Sequence, residues 1–329
     1  MIDRHVSVTL NTVRDVDPWR GGKDVVLCLA EDLAAQTMPH HEIEMVVVDG
    51  LYAYRAAELE PELAKMPFRV THVPPRPTAM VRDGRVAISA YKNTAAVHAR
   101  GRLLVCTDDL STLDPGYVAR AWTAWNSEHL LLAALTARMD GELNDSRTMF
   151  LGPGGRCVGP LRGNVMEPPQ YGFCAVPMEA VLRVNGWDEY YDGGQGLEDA
   201  DFGIRLQKAG YRVALDTRHR VRLSPSSTGW DKRLFPGPVE IVHCCQTTFR
   251  IQLEAGHVRA NARAWSEKEW GYVAPRCRHL VSDRCGLNGH LCPYLGVSSD
   301  REHPSLRLLR SEPPIFDLGE LRRQAGNAD

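Results

Sequence analysis

The sequence has no long apolar run and no excess of one charge. None of its hydrophobic stretches approaches the roughly 20 residues needed to cross a bilayer, and its first residues lack the apolar core of a signal peptide. The 39 basic and 41 acidic residues nearly cancel, which excludes a general electrostatic attraction to nucleic acid or to an anionic membrane. We therefore expect a soluble, cytoplasmic protein without a membrane span.

The chain contains nine cysteines, an odd number that cannot all pair in disulfides within one chain. In a reducing compartment such cysteines are expected to be free thiols or metal ligands rather than a disulfide framework. What is present is an ordinary globular composition, with 43% hydrophobic and 24% charged residues over 329 positions. That length is enough for one large domain or two modest ones.

The first 110 residues alternate between strand-like and helix-like patterns. Apolar spacing predicts strands at 6–10, 44–50, 68–73 and 103–107 and helices at 22–36 and 89–100, in the order β, α, β, β, α, β. This order is typical of a parallel nucleotide-binding sheet, in which ligands lie beyond the carboxyl ends of the strands. Later patterns predict helices at 115–125, 179–184, 198–209 and 246–263, strands at 130–137, 172–176 and 211–215, and an irregular segment or lid at 140–170.

Two groups of carboxylates follow predicted strand or turn ends. They are Asp108 and Asp109 after the strand at 103–107, and Glu198, Asp199 and Asp201 after the glycine-rich turn at 193–196. Adjacent carboxylates repel one another unless a cation or hydrogen-bond donors neutralise them, and metal-assisted transfer uses acids in two such places. The alternatives are a solvated acidic turn for the first group and helix-dipole contacts at a helix start for the second.

The segments around both groups resemble family 2 of the GT-A glycosyltransferases. In that family a helix carrying Lys-Asn or Arg-Asn leads through Ala-x-Gly into a strand that ends in a metal-binding acid, as 92–109 does here. The segment 186–212 resembles the family's second signature, and 6–12 and 46–49 also fit, so four blocks agree in order over about residues 5–245.

The resemblance implies an α/β GT-A fold, a Rossmann-like and mostly parallel sheet flanked by helices and fused to an acceptor-binding half. We expect a nucleotide-sugar-binding half at 1–110, an acceptor-binding and catalytic half at 111–265, and a C-terminal extension at 266–329. On the donor side, Thr12 and Asp49 would contact the nucleoside and Asp109 the metal ion. Because Thr107 stands where the family often has an acid, Asp108 would take a nucleotide contact. His243 would lie near the metal or phosphate, and Lys92 is either a phosphate contact or part of a solvated helix face.

On the acceptor side, the resemblance implies that Asp199 is the general base and that Glu198 lies near the acceptor. Gln195 precedes the base in the glycine-rich turn and could touch the acceptor. Trp187 either lines the acceptor or sugar site or belongs to the core.

The segment after about residue 265 lies outside the resemblance. Its Cys277, His279, Cys285, His290 and Cys292 fall within sixteen positions, and four of them (Cys277, Cys285, His290 and Cys292) could form a tetrahedral structural zinc site. The alternative is free thiols beside surface histidines. Nearby arginines leave nucleic acid open only as an acceptor.

Together the acidic clusters and the family resemblance imply an inverting glycosyltransferase that depends on Mn2+ or Mg2+. It would move a sugar, most simply from a UDP-sugar, to the hydroxyl of a saccharide or small molecule, with a hydroxymethylated DNA base as a remoter acceptor. A nucleotidyltransferase is the first alternative, but it usually has a glycine-rich, lysine-containing loop where this chain has 11–15. A catalytically inactive nucleotide-sugar-binding module is the second, and the presence of Asp199 argues against it.

Overall fold

A nine-stranded sheet forms the centre of the computed structural model, which describes residues 5–85, 87–138, 141–143, 154–158, 174–193, 197–224, 256–273, 280–281, 284–285 and 304–327. The strands of this sheet and of two small two-stranded sheets are β1 (Val6–Thr12), β2 (Val16–Asp17), β3 (Lys23–Asp24), β4 (Ile43–Asp49), β5 (Arg69–Val73), β6 (Leu103–Asp108), β7 (Ser111–Thr112), β8 (Leu131–Ala137), β9 (Arg156–Val158), β10 (Cys174–Pro177), β11 (Val213–Leu223), β12 (Leu280–Val281) and β13 (Arg284–Cys285).

The strand order in the large sheet is β5-β4-β1-β6-β10-β8-β11-β7, with β9 paired to β11. Strands β5, β4, β1 and β6 are parallel, and β10 runs against both of its neighbours, β6 and β8. Since β8 is parallel to β11, the carboxyl ends of β1, β4, β6, β8 and β11 all meet at one edge of the sheet. This arrangement confirms the predicted α/β class with a mostly parallel sheet flanked by helices.

The helices cover both faces of the sheet. They are α1 (Val25–Ala34), α2 (Tyr52–Leu63), α3 (Ala79–Arg82), α4 (Ile88–His98), α5 (Tyr117–Glu128), α6 (Met178–Arg183), α7 (Glu198–Lys208), α8 (Glu267–Val273), α9 (Pro304–Ser311) and α10 (Leu318–Gln324). One hydrophobic core packs α4, α6 and α7 on the sheet, and the other packs α1, α2 and α5 on the opposite face. Strand β4 shows why helices must pack on both faces of the sheet. Every one of its residues is buried, and alternate side chains enter different cores.

Helix α2 was absent from the predicted order β, α, β, β, α, β, and this part of the prediction was wrong. The helix has a narrow inward stripe, in which Arg55, Leu59 and Leu63 are buried, and it contains a proline at position 61. An arginine in an apolar position weakens the periodic signal that identifies amphipathic helices. Its burial becomes understandable only from its partner, which lies at the end of β4.

The helix predicted at 246–263 is contradicted over its second half. Residues 246–255 lie outside the described residues, whereas 256–263 form turns and bends. Asn261 adopts a left-handed backbone conformation with φ of 50°, and its side chain donates to the carbonyl of Trp187 at 2.8 Å. An asparagine that tolerates this conformation and binds backbone groups is typical of a turn rather than of a helix interior.

The predicted boundary at 110 falls within a continuous sheet, since β6 from the first predicted half pairs with β10 from the second. The division into 1–110, 111–265 and 266–329 stays a prediction.

Among the helices in the described ranges, none is both long enough and apolar enough to pass through a membrane.

Candidate active site

The carboxyl ends of β1, β4 and β6 bring four predicted donor-site residues to one edge of the sheet. Thr12 pairs in register with Asp49 on β4, and the preceding residue of β1 pairs with Asp108 on β6. The Thr12 hydroxyl donates to Asp109 Oδ2 at 3.0 Å. The prediction that Thr12, Asp49, Asp108 and Asp109 lie together therefore agrees with the sheet register.

Asp49 is fully buried and is bound by fixed partners. The guanidinium of Arg55 donates to both carboxylate oxygens, at 2.7 and 3.0 Å, and His72 Nε2 lies 3.0 Å from Oδ2. The backbone N–H of Leu51 adds a bond to Oδ1 at 2.7 Å. Burial alone would raise the pKa of Asp49, but the bonds from His72 and Arg55 lower it below its ordinary value. The sequence patterns did not reveal this role of Arg55 and His72, because nothing in the spacing indicates the pairing.

Asp108 and Asp109 differ in exposure although they are adjacent. Asp108 is exposed at the end of β6, whereas the Asp109 side chain is buried beside Thr12 and has Arg14 Nε 3.3 Å from its Oδ1. Burial and the neighbouring Asp108 raise the pKa of Asp109 well above its ordinary value, while Arg14 and Thr12 oppose this shift. This edge therefore holds an excess of carboxylates that Arg14 only partly offsets. The contact between Arg14 and Asp109 was not predicted from the sequence.

The oxygen atoms of Asp108 and Asp109 suit a hard divalent cation, which often takes one or two carboxylates together with substrate phosphates. The described part of the chain holds no cluster of three or more histidine, cysteine, aspartate or glutamate side chains arranged around a metal position. His243, the further predicted ligand, lies outside that part. The two carboxylates thus fit a metal that is completed by a substrate.

Lys92 connects α4 to the start of α7. Its ammonium group lies 3.2 Å from Glu198 Oε1 and also donates to Asp199 Oδ1. Burial alone would lower the pKa of Lys92, but Asp199 and Glu198 raise it, so the side chain stays charged. The structure therefore places the Lys92 ammonium on the acids of α7, rather than on a solvated helix face.

Glu198 and Asp199, the two carboxylates that bind Lys92, are in different environments. Glu198 is buried, and burial and the nearby Asp199 raise its pKa, with Lys92 acting against them. The Asp199 side chain is 22% exposed, so it combines access to solvent with a fixed cationic partner. Lys92 and Asp199 lie on α4 and α7, which pack on one face of the sheet whose edge carries Asp108 and Asp109.

Asn93, the residue after Lys92, holds the segment that precedes α7. Its amide donates to the carbonyl of Trp187 at 2.8 Å and accepts from the Trp187 N–H at 2.9 Å. A second donation reaches Glu189 at 3.0 Å. The preceding Gly186 has a φ of 72°, and a Cβ there would collide with the Asn93 side chain. The adjacent lysine and asparagine thus bind two successive parts of the segment 187–199.

Trp187 belongs to the core. Its ring has no exposed surface and stacks on Phe202 of α7, with the ring centroids 4.1 Å apart. A side chain in this position supports the helix and offers no surface to an acceptor, so the second interpretation from the sequence is the one that agrees with the structure. Trp187 is therefore a core residue rather than an acceptor-binding one.

Most of the remaining predicted residues lie outside the described part of the chain, namely Gln195, His243, Cys277, His279, His290 and Cys292. Cys285 is described only as the last residue of β13. The zinc site and the acceptor contact of Gln195 stay predictions.

Comparison with known proteins gave matches only among solved structures, since no protein-family model and no curated protein sequence matches the chain. The structure of S. aureus TarS 1-349 in complex with UDP-GlcNAc aligns with a TM-score of 0.54 at 12% identity, over 82% of this chain and 70% of that one. The same fragment in complex with UDP gives a TM-score of 0.51 at 13% identity, over 82% and 70% of the chains. This chain shares its fold with TarS.

Two further matches are looser. The mannosyltransferase PcManGT from Pyrobaculum calidifontis, in complex with GDP-Man and Mn2+, has a TM-score of 0.47 at 13% identity, over 98% of this chain and 73% of that one. A longer structure of S. aureus TarS also has a TM-score of 0.47, and this chain spans 37% of its length. These TM-scores are too low to support an argument. The likeness to TarS 1-349 concerns the fold, which is the predicted mostly parallel sheet flanked by helices.

Proposed function

We propose that this chain is a glycosyltransferase that moves a sugar from a nucleotide-sugar to an acceptor hydroxyl. The observation that carries the proposal is the Lys92–Asp199 pair, on helices that pack on the sheet whose strand ends bear Asp108 and Asp109. A partly exposed carboxylate held by a lysine is suited to accept a proton, and the acidic strand ends are suited to a metal-bound diphosphate. The shared fold with TarS, which was crystallised with UDP and with UDP-GlcNAc, supports a UDP-sugar as donor.

In the proposed reaction Asp199 accepts the proton of the acceptor hydroxyl while the hydroxyl oxygen attacks the anomeric carbon. The bond from that carbon to the nucleotide diphosphate breaks, and the electron pair leaves with the phosphate. A single displacement of this kind inverts the anomeric centre. Lys92 keeps the Asp199 carboxylate in place, and Glu198, adjacent in the sequence, lies on the acceptor side.

Asp109 would hold the divalent cation, and Asp108 would contact the nucleotide. When bound, Mn2+ or Mg2+ would stabilise the negative charge that develops on the leaving diphosphate. The chain's own residues contribute in two ways: Thr12 and Arg14 fix the carboxylate of Asp109, and Arg55 and His72 fix Asp49 at the end of β4. Since the fixed partners of Asp49 bind both of its oxygens, we propose that it shapes the nucleoside pocket, and that Thr12 lies beside it.

Thermal unfolding with nucleotides and Mn2+ tests this proposal. A ligand at about 100 times its Kd stabilises a protein by ~2.7 kcal/mol. For a chain of 329 residues this corresponds to a rise in Tm of about 4 °C, at an unfolding entropy of about 2.1 cal/mol/K per residue. We expect such a rise with UDP or UDP-GlcNAc, larger in the presence of Mn2+, and a smaller one with GDP-mannose.

The matched variants are Asp109→Asn and Asp83→Asn. Asp109→Asn should remove the added effect of Mn2+, whereas Asp83→Asn, at a surface ion pair with Arg85, should leave it unchanged. If no nucleotide or nucleotide-sugar changes the Tm, the proposed function is wrong. If nucleotides bind equally with and without Mn2+, the metal assignment is wrong while the donor class stands.

A further inference from the structure

A cavity of about 270 Å3 lies on the face of the sheet opposite α4 and α7, between α5, β9 and β11. None of the donor-edge residues lines it. Its polar lining consists of Arg120, Glu128, Arg156, Asp216, Arg218 and His219, with Thr123 on the α5 side. It is therefore a separate place in the molecule, which the proposed transfer reaction does not use.

An irregularity in β11 forms one wall of this cavity. The pairing of β11 with β8 changes register between Leu215 and Arg220, so the residues between them bulge from the ladder. Within the bulge, Arg218 binds Asp216 through its backbone N–H at 2.9 Å and through its guanidinium. Bulges commonly redirect side chains next to sites, and this one directs His219 inward, where it is fully buried.

His219 has no hydrogen-bond partner for either ring nitrogen in the described part of the chain. Its ring stacks on Tyr117, with the centroids 4.1 Å apart. Burial, together with the nearby Arg120, lowers the pKa of His219 to about 3, so the ring is neutral near pH 7. One nitrogen therefore offers an N–H donor and the other an acceptor, and both are unused by the described residues.

Two arginines add further donors. The end of the Arg120 guanidinium binds Asp114 at 2.6 and 2.7 Å, and that of Arg156 contacts Glu128 at 2.5 Å. The Nε–H of each arginine is buried and makes no hydrogen bond to the described residues; for Arg156, the Asp216 carboxylate is 3.8 Å away. Unsatisfied buried donors are rare in folded proteins and often mark the place of a water or an ion.

These contacts leave three buried N–H groups, on side chains from three separate elements that line one cavity, against a single unused imidazole acceptor. Of the two carboxylates in the lining, Glu128 binds a terminal nitrogen of Arg156 and Asp216 binds the guanidinium of Arg218. We propose that the cavity binds a small oxyanion of the phosphate class, with Arg120 Nε, Arg156 Nε and one nitrogen of His219 as donors. A tetrahedral oxyanion presents more acceptor oxygens than a carboxylate. The cavity volume of about 270 Å3 lies just below the roughly 300–1,000 Å3 range of ligand pockets and suits a small ligand.

Titration with inorganic phosphate, sulfate or acetate tests the proposal, with chloride used to hold the ionic strength constant. The readouts are the Tm and the ring 15N resonances of His219. We expect saturable binding of phosphate and sulfate and weaker binding of acetate, together with a change in the His219 resonances. Arg156→Gln should weaken phosphate binding by about tenfold, the usual worth of a hydrogen bond to a charged group.

Two variants serve as controls. Arg220→Gln changes an exposed arginine on the same strand and should leave phosphate binding unchanged. Arg14→Gln changes the donor edge, so phosphate bound there would respond to this variant and not to Arg156→Gln. Because the Arg156 side chain is 31% exposed, its variant is expected to fold. The proposal is overturned if phosphate does not saturate, if all variants bind it equally, or if the His219 resonances do not move.

Discussion

The carboxylate at the end of β4 and those around the start of α7 are both surrounded by protein, yet their pKa values shift in opposite directions. Asp49 has Arg55 and His72 as fixed partners, and they lower its pKa against the effect of burial. Around α7, acids outnumber bases in the described part of the chain. There, burial and neighbouring carboxylates raise the pKa values of Asp188, Asp192 and Glu198.

The difference lies in charge balance rather than in depth of burial. A carboxylate that is matched by fixed cations is an ion pair of the scaffold, and its loss leaves a buried charge behind. Carboxylates in excess of their partners are costly to the fold, and such perturbed groups are commonly found at functional sites. The two regions should therefore respond differently to the same chemical change, aspartate to asparagine.

The largest expected effects come from making that change at Asp199 and at Asp49. Asp199→Asn removes the proposed base, so transfer should fall by about 10²–10⁴-fold, while the unfolding free energy changes little because Glu198 still pairs with Lys92. Asp49→Asn should cost about 3 kcal/mol of stability, since it leaves Arg55 and His72 without their shared anion. Transfer rates and urea unfolding of the two variants would separate the effects.

The comparison fails if the two variants behave alike. An Asp199→Asn enzyme with full transfer would remove Asp199 from the base position. An Asp49→Asn protein as stable as the parent would show that its network is not a scaffold ion pair. Asp108→Asn is a suitable reference for stability, because Asp108 is exposed and its loss should cost less than about 0.5 kcal/mol.

The positions of the acids at the strand ends could be predicted from local sequence, whereas their partners could not. Buried β-branched strands and the acids that follow them are local signals, and they placed Asp49, Asp108 and Asp109 at the carboxyl ends of parallel strands, whereas Thr12 was expected there only from the family resemblance. The partners of those acids were not predictable. Arg55, His72 and Arg14 reach their acids through tertiary contacts, and no spacing rule links a lysine on α4 to acids more than 100 positions later.

Helix α2 and Trp187 show the same limit from the side of packing. A helix whose inward stripe includes a buried arginine does not look amphipathic until its ionic partner is known. A tryptophan beside a catalytic motif can line a site or support it, and only its stack on Phe202 distinguishes the two. Periodicity reports which residues are apolar, whereas the partner of each side chain depends on the whole fold.

A smaller effect is expected from the pH dependence of stability at Asp188. Burial and the nearby Asp201 raise its pKa from 3.8 to about 7. Because the folded pKa is the higher one, this group's contribution to stability is fully present below about pH 4 and is lost as the pH rises through about 7. Asp188→Asn cannot ionise, so its stability relative to the parent should increase between pH 5 and pH 8, as measured by urea unfolding.

Asp317→Asn provides the opposite case for this test. The pKa of Asp317 is lowered, mainly by its bond from the N–H of Glu320. The contribution of Asp317 to the stability of the fold is therefore present above about pH 4 and is lost below that value. The difference between this variant and the parent should stay constant from pH 5 to pH 8. If Asp188→Asn gives an equally flat difference, the excess of acids around α7 does not destabilise the fold.

The smallest expected effect concerns the backbone rather than the charges. Leu197, directly before Glu198, has a left-handed conformation with φ of 72°, which costs a side chain with a Cβ roughly 1–2 kcal/mol. Glycine removes that cost but loses about 0.5–1 kcal/mol through the entropy of the unfolded chain, so Leu197→Gly should stabilise the protein by about 0.5 kcal/mol. His129→Gly, at a similar φ of 53° at the end of α5, should give the same gain. Transfer should decrease only in Leu197→Gly, because the strained residue holds the start of the helix that presents Asp199. Equal transfer in both variants would show that the strain is local and does not position the base.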